Sequence, residues 1–236
     1  MPISQIPDSV TCVLTSCGRF DLLSVTLDSF LAHHRPARFI IAEDSADAAF
    51  ADRVRERYPQ VEVRLNEPRL GQHRSIDSAY GDVATPFIFH MEDDFRFDGP
   101  VDAADAVALA ASDPKISSVC FRRFDTLKLR HRMFAKRFTH GPHTYARMER
   151  AHRDWYGFSF NPGIVRREFW IEAGPYADHR NERTISRAMK DRGFGVVFQL
   201  PGVAIHIGSG RSVMDPARAG ENRRIGRRWF RRPPTA

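Results

Sequence analysis

Residues 86–94 read Pro-Phe-Ile-Phe-His-Met-Glu-Asp-Asp, an apolar run that ends in three adjacent carboxylates. The apolar part predicts a buried strand over residues 87–91. In extended backbone Glu92 and Asp94 leave the same face, because they are two residues apart. Hard oxygen ligands in this arrangement suit Mg²⁺ or Mn²⁺. The stretch therefore predicts a divalent-metal site at the end of a strand, and the alternative is a polar turn after a buried strand.

The chain before this stretch alternates between strand and helix patterns. Apolar residues at helical spacing predict helices over residues 20–33, 46–58 and 70–80. Short apolar or alternating runs predict further strands, at 10–16, 39–42 and 61–65. This alternation is typical of βαβ units, so we predict an α/β fold with a mostly parallel sheet flanked by helices.

Each predicted strand ends in polar residues. These endings are residues 15–19, 43–45, 66–68 and 92–94. In open parallel sheets, ligands bind beyond the carboxyl ends of the strands. We therefore expect the four endings to converge on one rim of the sheet and to form a ligand site there.

The composition predicts a folded domain with a sizeable core. The 236 residues are 42% hydrophobic, which is enough for a sizeable core. The sequence has no apolar run of about 18 residues and no basic-then-apolar leader, so we expect neither a membrane span nor a secretory signal, and a cytoplasmic location. Cys12, Cys17 and Cys120 lack paired metal-type spacing, which favours reduced thiols in or near the core.

The net charge of +7 is unevenly distributed along the chain. Residues 122–157 carry ten Lys or Arg against three Asp or Glu, and residues 211–236 carry eight against two. The rest of the chain is therefore acidic. Basic segments of this kind bind phosphates, anionic lipid surfaces or nucleic acid.

Four motifs in the first half resemble, in the same order, the family 2 glycosyltransferases. Residues 13–19 followed by Leu27-Asp-Ser-Phe-Leu31 resemble the opening strand and helix of that family, and Ile41-Ala-Glu-Asp-Ser45 resembles its second strand. Residues 66–74 resemble its nucleotide-contacting segment. Glu92-Asp-Asp94 falls where the family carries an Asp-x-Asp-type metal motif, here with Glu first. The resemblance implies the GT-A fold, with a Rossmann-like, mostly parallel sheet flanked by helices, and a nucleotide-activated sugar as donor, with uridine favoured.

A fifth motif supplies the candidate for the catalytic residue. Asn181-Glu182 opens a helical run that closes near Gly193. In the family an acidic pair stands at this place, and counting back from the Gly puts Glu182 at the catalytic acid. The resemblance therefore implies that Glu182 is the general base of an inverting transfer. A retaining reaction stays open, because the stereochemistry depends on this one alignment.

A sixth motif completes the implied metal site. His206 lies in the apolar run 203–207, before a Gly-rich loop, and resembles the metal-binding His that many GT-A enzymes place there. The alternative for His206 is a buried core residue. The resemblance thus implies a Mn²⁺ or Mg²⁺ ion bound by Glu92, Asp94 and His206.

Further residues are candidates for binding the donor. The carboxylate of Asp44 can accept from a nucleobase N–H or a ribose hydroxyl, and its alternative role is to cap the helix predicted at 46–58. Arg211 is expected to pair with the diphosphate, and the loop before it has the alternative of a hinge into the basic tail. Arg74 has the alternative of a solvated helix residue. The complete set of donor-binding candidates is Thr15, Arg19, Asp44, Arg74, Asp93 and Arg211.

We predict a GT-A-like glycosyltransferase domain over residues 1–210 and a basic tail over 211–236. Residues 1–94 would bind the nucleotide, and residues 95–210 the acceptor. Residues 122–157 interleave Arg and Lys with aromatic side chains, which stack on sugars or lie at lipid headgroups. We therefore expect an anionic glycan or a lipid-linked acceptor, and peripheral contact of 122–157 and the tail with the anionic inner membrane face. The alternative for the tail is a disordered, solubilising segment.

Three other functions compete with sugar transfer. A nucleic-acid-binding protein would use the basic and aromatic stretches. However, a phosphate-binding surface gains nothing from acids at its rim unless a metal bridges them, so nucleic acid is not the expected partner. A nucleotidyltransferase would use a metal on a similar sheet and release diphosphate. A non-catalytic peripheral membrane adaptor would be indifferent to the loss of Glu182.

Overall fold

The computed structural model describes residues 3–211. The strands are β1 (Ser4–Gln5), β2 (Val10–Ser16), β3 (His34–Arg35), β4 (Phe39–Glu43), β5 (Glu62–Leu65), β6 (Phe87–Glu92), β7 (Phe95–Phe97), β8 (Ile116–Cys120), β9 (Lys136–His140), β10 (His143–Arg147), β11 (Gly163–Arg166), β12 (Gly195–Leu200) and β13 (Ala204–His206). The α-helices are α1 (Phe20–Leu31), α2 (Ala48–Arg57), α3 (Gln72–Gly81), α4 (Ala103–Ser112), α5 (Leu129–Arg132), α6 (Arg167–Ala173) and α7 (Glu182–Asp191).

Nine of these strands form one sheet, in the order β5-β4-β2-β6-β11-β8-β12-β10-β9. The strands β5, β4, β2 and β6 are all parallel. β11 runs antiparallel to both β6 and β8, and β12 is parallel to β8. The antiparallel hairpin of β9 and β10 forms the far edge. The two predicted halves of the domain therefore contribute strands to the same sheet, which joins them where β6 pairs with β11.

Different helices cover the two faces of the sheet. Cys12 and Leu14 of β2 pack in one cluster with apolar residues of α1, α2 and α4. Val13, between them, packs in the other cluster with residues of α3, α6 and α7. Successive side chains of a strand point to opposite faces, so a strand buried on both sides reads as a continuous apolar run. The predicted α/β class, with helices flanking a large sheet, is confirmed.

The predicted elements of the first half are present, with small differences at their ends. β2 has the predicted bounds, and the helix predicted over 46–58 is α2, which begins at Ala48. Asp47 caps α2, because its Oδ1 accepts a hydrogen bond from the N–H of Phe50 at 3.1 Å. The alternative role of Asp44 as the cap of this helix is therefore wrong.

The structure also bears on the predictions for the cysteines, for membrane-spanning helices and for the basic tail. Cys12 and Cys120 are buried and Cys17 is partly buried, and all three are free thiols, as predicted. No helix within residues 3–211 combines the length and the apolar character needed to cross a bilayer. The predicted basic tail lies outside the described residues, apart from its first residue, Arg211.

Candidate active site

Polar side chains meet at the carboxyl ends of β2, β4 and β6. Glu43, the last residue of β4, is fully buried. It accepts hydrogen bonds from the N–H groups of Gly18 and Ser45, both at 2.9 Å, and from the hydroxyl of Ser16. Gly18 has a φ of 69°, a conformation that favours glycine. Glu43 thus fixes the loop between β2 and α1, a role that its sequence pattern does not predict.

The carboxylate of Asp44 organises a second loop at this rim. Its Oδ1 accepts from the N–H of Leu70 at 2.7 Å and from Nδ2 of Asn66 at 3.0 Å, and its Oδ2 accepts from the N–H of Gly71 at 2.9 Å. These contacts hold the segment that leads into α3. The chain itself therefore occupies three of the roughly four acceptor positions that a carboxylate offers.

Arg19 lies between two of the carboxylates that follow β6. Its guanidinium forms a two-pronged ion pair with Asp93 and lies 3.2 Å from Oδ2 of Asp94. Asp93 is 1% exposed, and burial raises its pKa to about 6 despite the opposing effect of Arg19. The backbone of Asp93 also donates to the carbonyl of Thr15 at 3.1 Å. Two predicted donor-binding side chains, Arg19 and Asp93, are thus paired with each other.

Asp94 and His206 are brought together although they lie far apart in sequence. β7, just after Asp94, pairs with β13, which ends at His206. Nε2 of His206 lies 3.4 Å from Oδ2 of Asp94, and the N–H of Ile207 donates to the carbonyl of Asp94 at 2.8 Å. Gly208 packs directly against the same carboxylate. The predicted proximity of Asp94 and His206 is therefore present.

The pair of Asp94 and His206 fits a divalent cation. Oδ1 of Asp94 is buried and has no hydrogen-bond donor among residues 3–211, and a buried polar atom of this kind needs a partner. A carboxylate oxygen suits Mg²⁺ or Mn²⁺, and imidazole is the commonest metal ligand. Within the described part of the chain, no three His, Cys, Asp or Glu side chains are grouped so as to hold a metal ion. A cation here would take its other ligands from substrate phosphates and water.

Glu92, the third predicted ligand, lies at the edge of this group. Its Oε1 accepts a hydrogen bond from Nε2 of Gln72 at 2.7 Å. Burial raises its pKa well above the ordinary value, and the nearby carboxylates Asp94, Glu182 and Asp93 raise it further. Such a concentration of like charge is stabilised by proton uptake or by a bound cation.

Glu182 is the first residue of α7, whose N-terminus is capped by Asn181. Its Oε1 accepts hydrogen bonds from Oγ of Ser159 at 3.0 Å and from the N–H of Phe160 at 3.1 Å. Burial raises the pKa of Glu182 above its ordinary value, although these two hydrogen bonds oppose the shift. Oε2 accepts no hydrogen bond from a residue in the described range. One oxygen therefore anchors the carboxylate, and the other can accept a proton.

Three of the predicted residues, Glu92, Glu182 and His206, line one cleft of about 490 Å³. Residues 122–157 supply a wall of this cleft with cationic and aromatic side chains, and Ser159 and Asn161 follow them. Nη1 of Arg122 donates to Oδ1 of Asn161 at 3.1 Å, which orients the guanidinium. The other lining residues of that wall include Lys128, His131, Trp155 and Tyr156.

The remaining candidates lie around the cleft. Thr15 is nearly buried near the end of β2, and Arg74 is exposed on α3. The guanidinium of Arg211 pairs with Asp21 at 2.6 Å, while its carbonyl accepts from Nη1 of Arg19 at 2.9 Å. The structure therefore brings Asp94 and His206 into contact and places Glu92, Glu182 and His206 along one cleft, while Arg19 of the donor-binding set contacts Asp93 and Arg211.

No protein-family description matches the sequence. No curated protein matches it either. Solved structures do match. One is GalNAc-T7 with UDP, GalNAc and Mn²⁺, at a TM-score of 0.59 and 14% identity over 83% of this chain and 43% of that chain. Another is the mannosyltransferase PcManGT from Pyrobaculum calidifontis with GDP-Man and Mn²⁺, at a TM-score of 0.57 and 14% identity over 90% and 62%.

The chain spans less than two thirds of either structure that it resembles. At 14% identity the likeness establishes the fold and leaves membership of family 2 as a prediction. Both structures are GT-A-type glycosyltransferases, so the predicted GT-A fold is confirmed.

Proposed function

We propose that this chain is a metal-dependent glycosyltransferase. It transfers a sugar from a nucleoside-diphosphate sugar to a hydroxyl of a glycan or lipid-linked acceptor, with inversion at the anomeric carbon. The observation that carries the proposal is one cleft lined by both Glu182 and His206. The ring of His206 lies 3.4 Å from the carboxylate of Asp94. Such a transfer needs a base for the acceptor and positive charge for the leaving diphosphate. The likeness to enzymes solved with UDP or GDP-Man supports this donor class, and the sequence resemblance favours uridine.

Glu182 is the proposed general base. Ser159 and the backbone of Phe160 hold its Oε1, so the carboxylate has a fixed orientation in the cleft. Oε2 accepts the proton of the acceptor hydroxyl as that oxygen attacks the anomeric carbon. The raised pKa makes Glu182 a stronger base than an ordinary carboxylate. A single displacement with one base inverts the anomeric configuration.

Asp94 and His206 are the proposed ligands of Mn²⁺ or Mg²⁺. Glu92 stays a proposed third ligand, although the described side chains are not grouped as three around one metal position. A bound cation would act as a Lewis acid towards the diphosphate leaving group. Thr15, Arg19, Asp44 and Asp93 lie at or beside the carboxyl ends of β2, β4 and β6, which is where ligands bind to sheets of this kind. These four residues therefore remain proposed contacts of the sugar-nucleotide donor. Arg74 and Arg211 are further proposed contacts of the donor.

Thermal shift tests the donor and the metal together. We would measure Tm with UDP-, GDP-, CDP- and TDP-sugars, with and without Mn²⁺ or Mg²⁺. A ligand that binds only the native state raises Tm, so we expect a metal-dependent rise for one nucleotide class that is lost in Asp94→Asn. The control is Asp98→Asn, an exposed acid near the same strand. No rise with any donor, together with salt-sensitive binding to nucleic acid, would contradict the proposal.

Glu182→Gln tests the base separately from binding. The amide oxygen of Gln can still accept from Ser159 and Phe160, so the fold and the donor-induced rise in Tm should persist. Turnover should fall by roughly 10² or more, since general-base catalysis contributes about 10²–10⁴. The anomeric configuration of the product, read by NMR, tests inversion. Full activity in Glu182→Gln would remove Glu182 from the mechanism, and an unchanged configuration would show retention.

A further inference from the structure

Three large apolar side chains are exposed within residues 129–134, directly after Lys128 of the cleft wall. Leu129, Met133 and Phe134 are 64%, 74% and 64% exposed, and we call them the α5 patch. Leu129 and Met133 are one helical turn apart, since the N–H of Met133 donates to the carbonyl of Leu129 at 3.1 Å. The other exposed large apolar residues within 3–211 are Ile3, Val25 and Ile171. Those three lie apart in sequence, whereas the α5 patch falls within six residues, and clustered apolar exposure marks a contact surface.

Positive charge surrounds the α5 patch. The sequence from residue 126 to residue 148 contains no Asp or Glu. Lys128, Arg130, Lys136 and Arg137 are exposed, and none of them forms an ion pair with another described residue. Cationic side chains beside exposed apolar ones are typical of surfaces that bind anionic bilayers, where the apolar groups enter the headgroup boundary and the cations pair with lipid phosphates.

The inner side of α5 is fixed to the body of the protein. His131 is 8% exposed, and its Nδ1 lies 2.8 Å from the hydroxyl of Tyr156. Its ring also packs against that of His152, with the centroids 5.2 Å apart. Because His131 points inward, Leu129 on the same short helix and Met133 at its C-terminal end are held outward. The α5 patch is therefore a property of the folded surface.

The α5 patch borders the cleft that contains Glu182. Leu127, Lys128 and His131 line that cleft, and they are immediate sequence neighbours of Leu129. A flat surface that contacts the α5 patch would therefore lie beside the cleft. An acceptor anchored in that surface would be presented to the cleft from this side.

We propose that the α5 patch docks the chain on an anionic lipid bilayer and that the acceptor is a lipid-linked molecule taken from that bilayer. The second part depends on the proposed function, and the first part does not. Nucleic acid would satisfy the cations and could stack a base on Phe134, but it would leave Leu129 and Met133 without an apolar contact. The exposed apolar side chains therefore favour a bilayer over nucleic acid.

The first experiment measures binding of the full chain to vesicles. We would compare phosphatidylcholine vesicles with vesicles that also contain phosphatidylglycerol, for wild type, Met133→Ser/Phe134→Ser and the control Ile171→Ser. Ile171 is 58% exposed and lies on a different helix, α6. We expect wild type and Ile171→Ser to bind the anionic vesicles equally, and the double variant to bind at least about tenfold more weakly, because two large apolar side chains are removed from the contact.

The variants carry the same charge as wild type, so a purely electrostatic contribution, from any basic segment, is equal in all three proteins. Equal binding by wild type and the double variant would overturn the docking surface. A double variant that loses affinity for a labelled oligonucleotide, with vesicle binding unchanged, would assign the α5 patch to nucleic acid and overturn the proposal. The donor-induced rise in Tm is measured without vesicles, so failure of docking and failure of the proposed function are separate results.

The second experiment tests the acceptor. Wild type and the double variant are incubated with a radiolabelled sugar nucleotide and vesicles made from a total membrane lipid extract. We expect label in the organic phase with wild type and a several-fold lower amount with the double variant. Label that appears only in water-soluble glycan, or organic-phase label that is equal for both proteins, would overturn the assignment of a bilayer-presented acceptor.

Discussion

Gly208 lies directly against the carboxylate of Asp94, so that a β-carbon at position 208 would overlap Oδ2 and would stand 2.7 Å from Cγ. The glycine therefore sets the position of the carboxylate that we propose as a metal ligand. Because φ at Gly208 is not positive, this requirement is steric and does not come from backbone conformation.

Gly208→Ala should displace Asp94 and weaken metal-dependent donor binding. We expect the apparent Kd for the sugar nucleotide in the presence of Mn²⁺ to rise at least about tenfold, since misplacement of a site residue by about 1 Å has effects of that size or larger. Gly81→Ala is the matched control, because its added methyl group meets no atom within 4 Å. Equal Kd values for Gly208→Ala and wild type would separate Asp94 from the donor site.

Asp44→Asn should destabilise the fold. The carboxylate of Asp44 accepts from the N–H groups of Leu70 and Gly71 on both of its oxygens, and an amide would turn its NH₂ towards one of these donors. We expect a loss of about 1–3 kcal/mol in the free energy of unfolding in urea, the cost of a buried group left unsatisfied. Asp47→Asn is the control, because Asn caps a helix as well as Asp does. If Asp44→Asn weakens donor binding with no loss of stability, the carboxylate acts on the nucleotide and not on the loop.

Arg19→Gln should leave the buried charge of Asp93 without its partner. Asp93 has a side chain that is 2% exposed, and breaking a buried pair on one side costs about 3–5 kcal/mol. The double variant Arg19→Gln/Asp93→Asn should recover much of that loss, and urea unfolding of the two single variants and the double variant measures the coupling. Additive effects of the two substitutions would show that the pair is not an energetic unit.

The first half of the fold could be predicted because its central strands, β2, β4 and β6, are buried on both faces. Residues 10–16 form a short run of apolar and β-branched residues, and β2 has those bounds. The second half contains shorter strands with polar residues, and the hairpin of β9 and β10 combines Lys, Arg and His with aromatic side chains. Neither a strict two-residue period nor an apolar run marks it. The local pattern therefore did not predict this hairpin.

The residues of the site that lie in recognisable motifs could be predicted. The residues that act through contacts between distant segments could not. Asp94 and His206 were grouped by resemblance to a family, and the structure places them 3.4 Å apart. The hydrogen bond from Ser159 to Glu182 joins two segments 23 residues apart, and nothing in the sequence marks Ser159. Glu43 resembled its neighbour Asp44 as a polar strand end. Its role became evident only from the loop that it holds.

His34 should make the fold less stable in acid. Its Nδ1 contacts the carbonyl of Phe30 and its Nε2 accepts from the N–H of Val101, both at 2.9 Å, so the ring is held neutral. Burial lowers its pKa from 6.5 to about 4, and His33 adds to this effect. Between pH 6.5 and about pH 4, His34 is therefore protonated in the unfolded chain and neutral in the folded chain. The contribution of neutral His34 to the free energy of unfolding is complete above pH 6.5, and it is lost as the pH falls towards 4.

The size of this effect follows from the pKa difference. It amounts to roughly 3.5 kcal/mol at most, since each unit of pKa corresponds to about 1.4 kcal/mol. Urea unfolding across this pH range should show a smaller acid-induced loss for His34→Gln than for wild type, although His34→Gln is less stable at neutral pH. The control His33→Gln should keep most of the wild-type slope. Parallel curves for wild type and His34→Gln would remove His34 as the cause.

Ser159→Ala should move the pH dependence of turnover. The hydroxyl of Ser159 donates to Glu182, which favours the charged carboxylate and opposes the effect of burial. Its removal should raise the pKa of Glu182 further. A general base works only when it is deprotonated, so the acid limb of the kcat profile should shift to higher pH, while the activity well above that limb is largely retained. Ser112→Ala, on α4, is the control and should leave the limb in place. An acid limb that does not move in Ser159→Ala would mean that another group limits the rate at low pH.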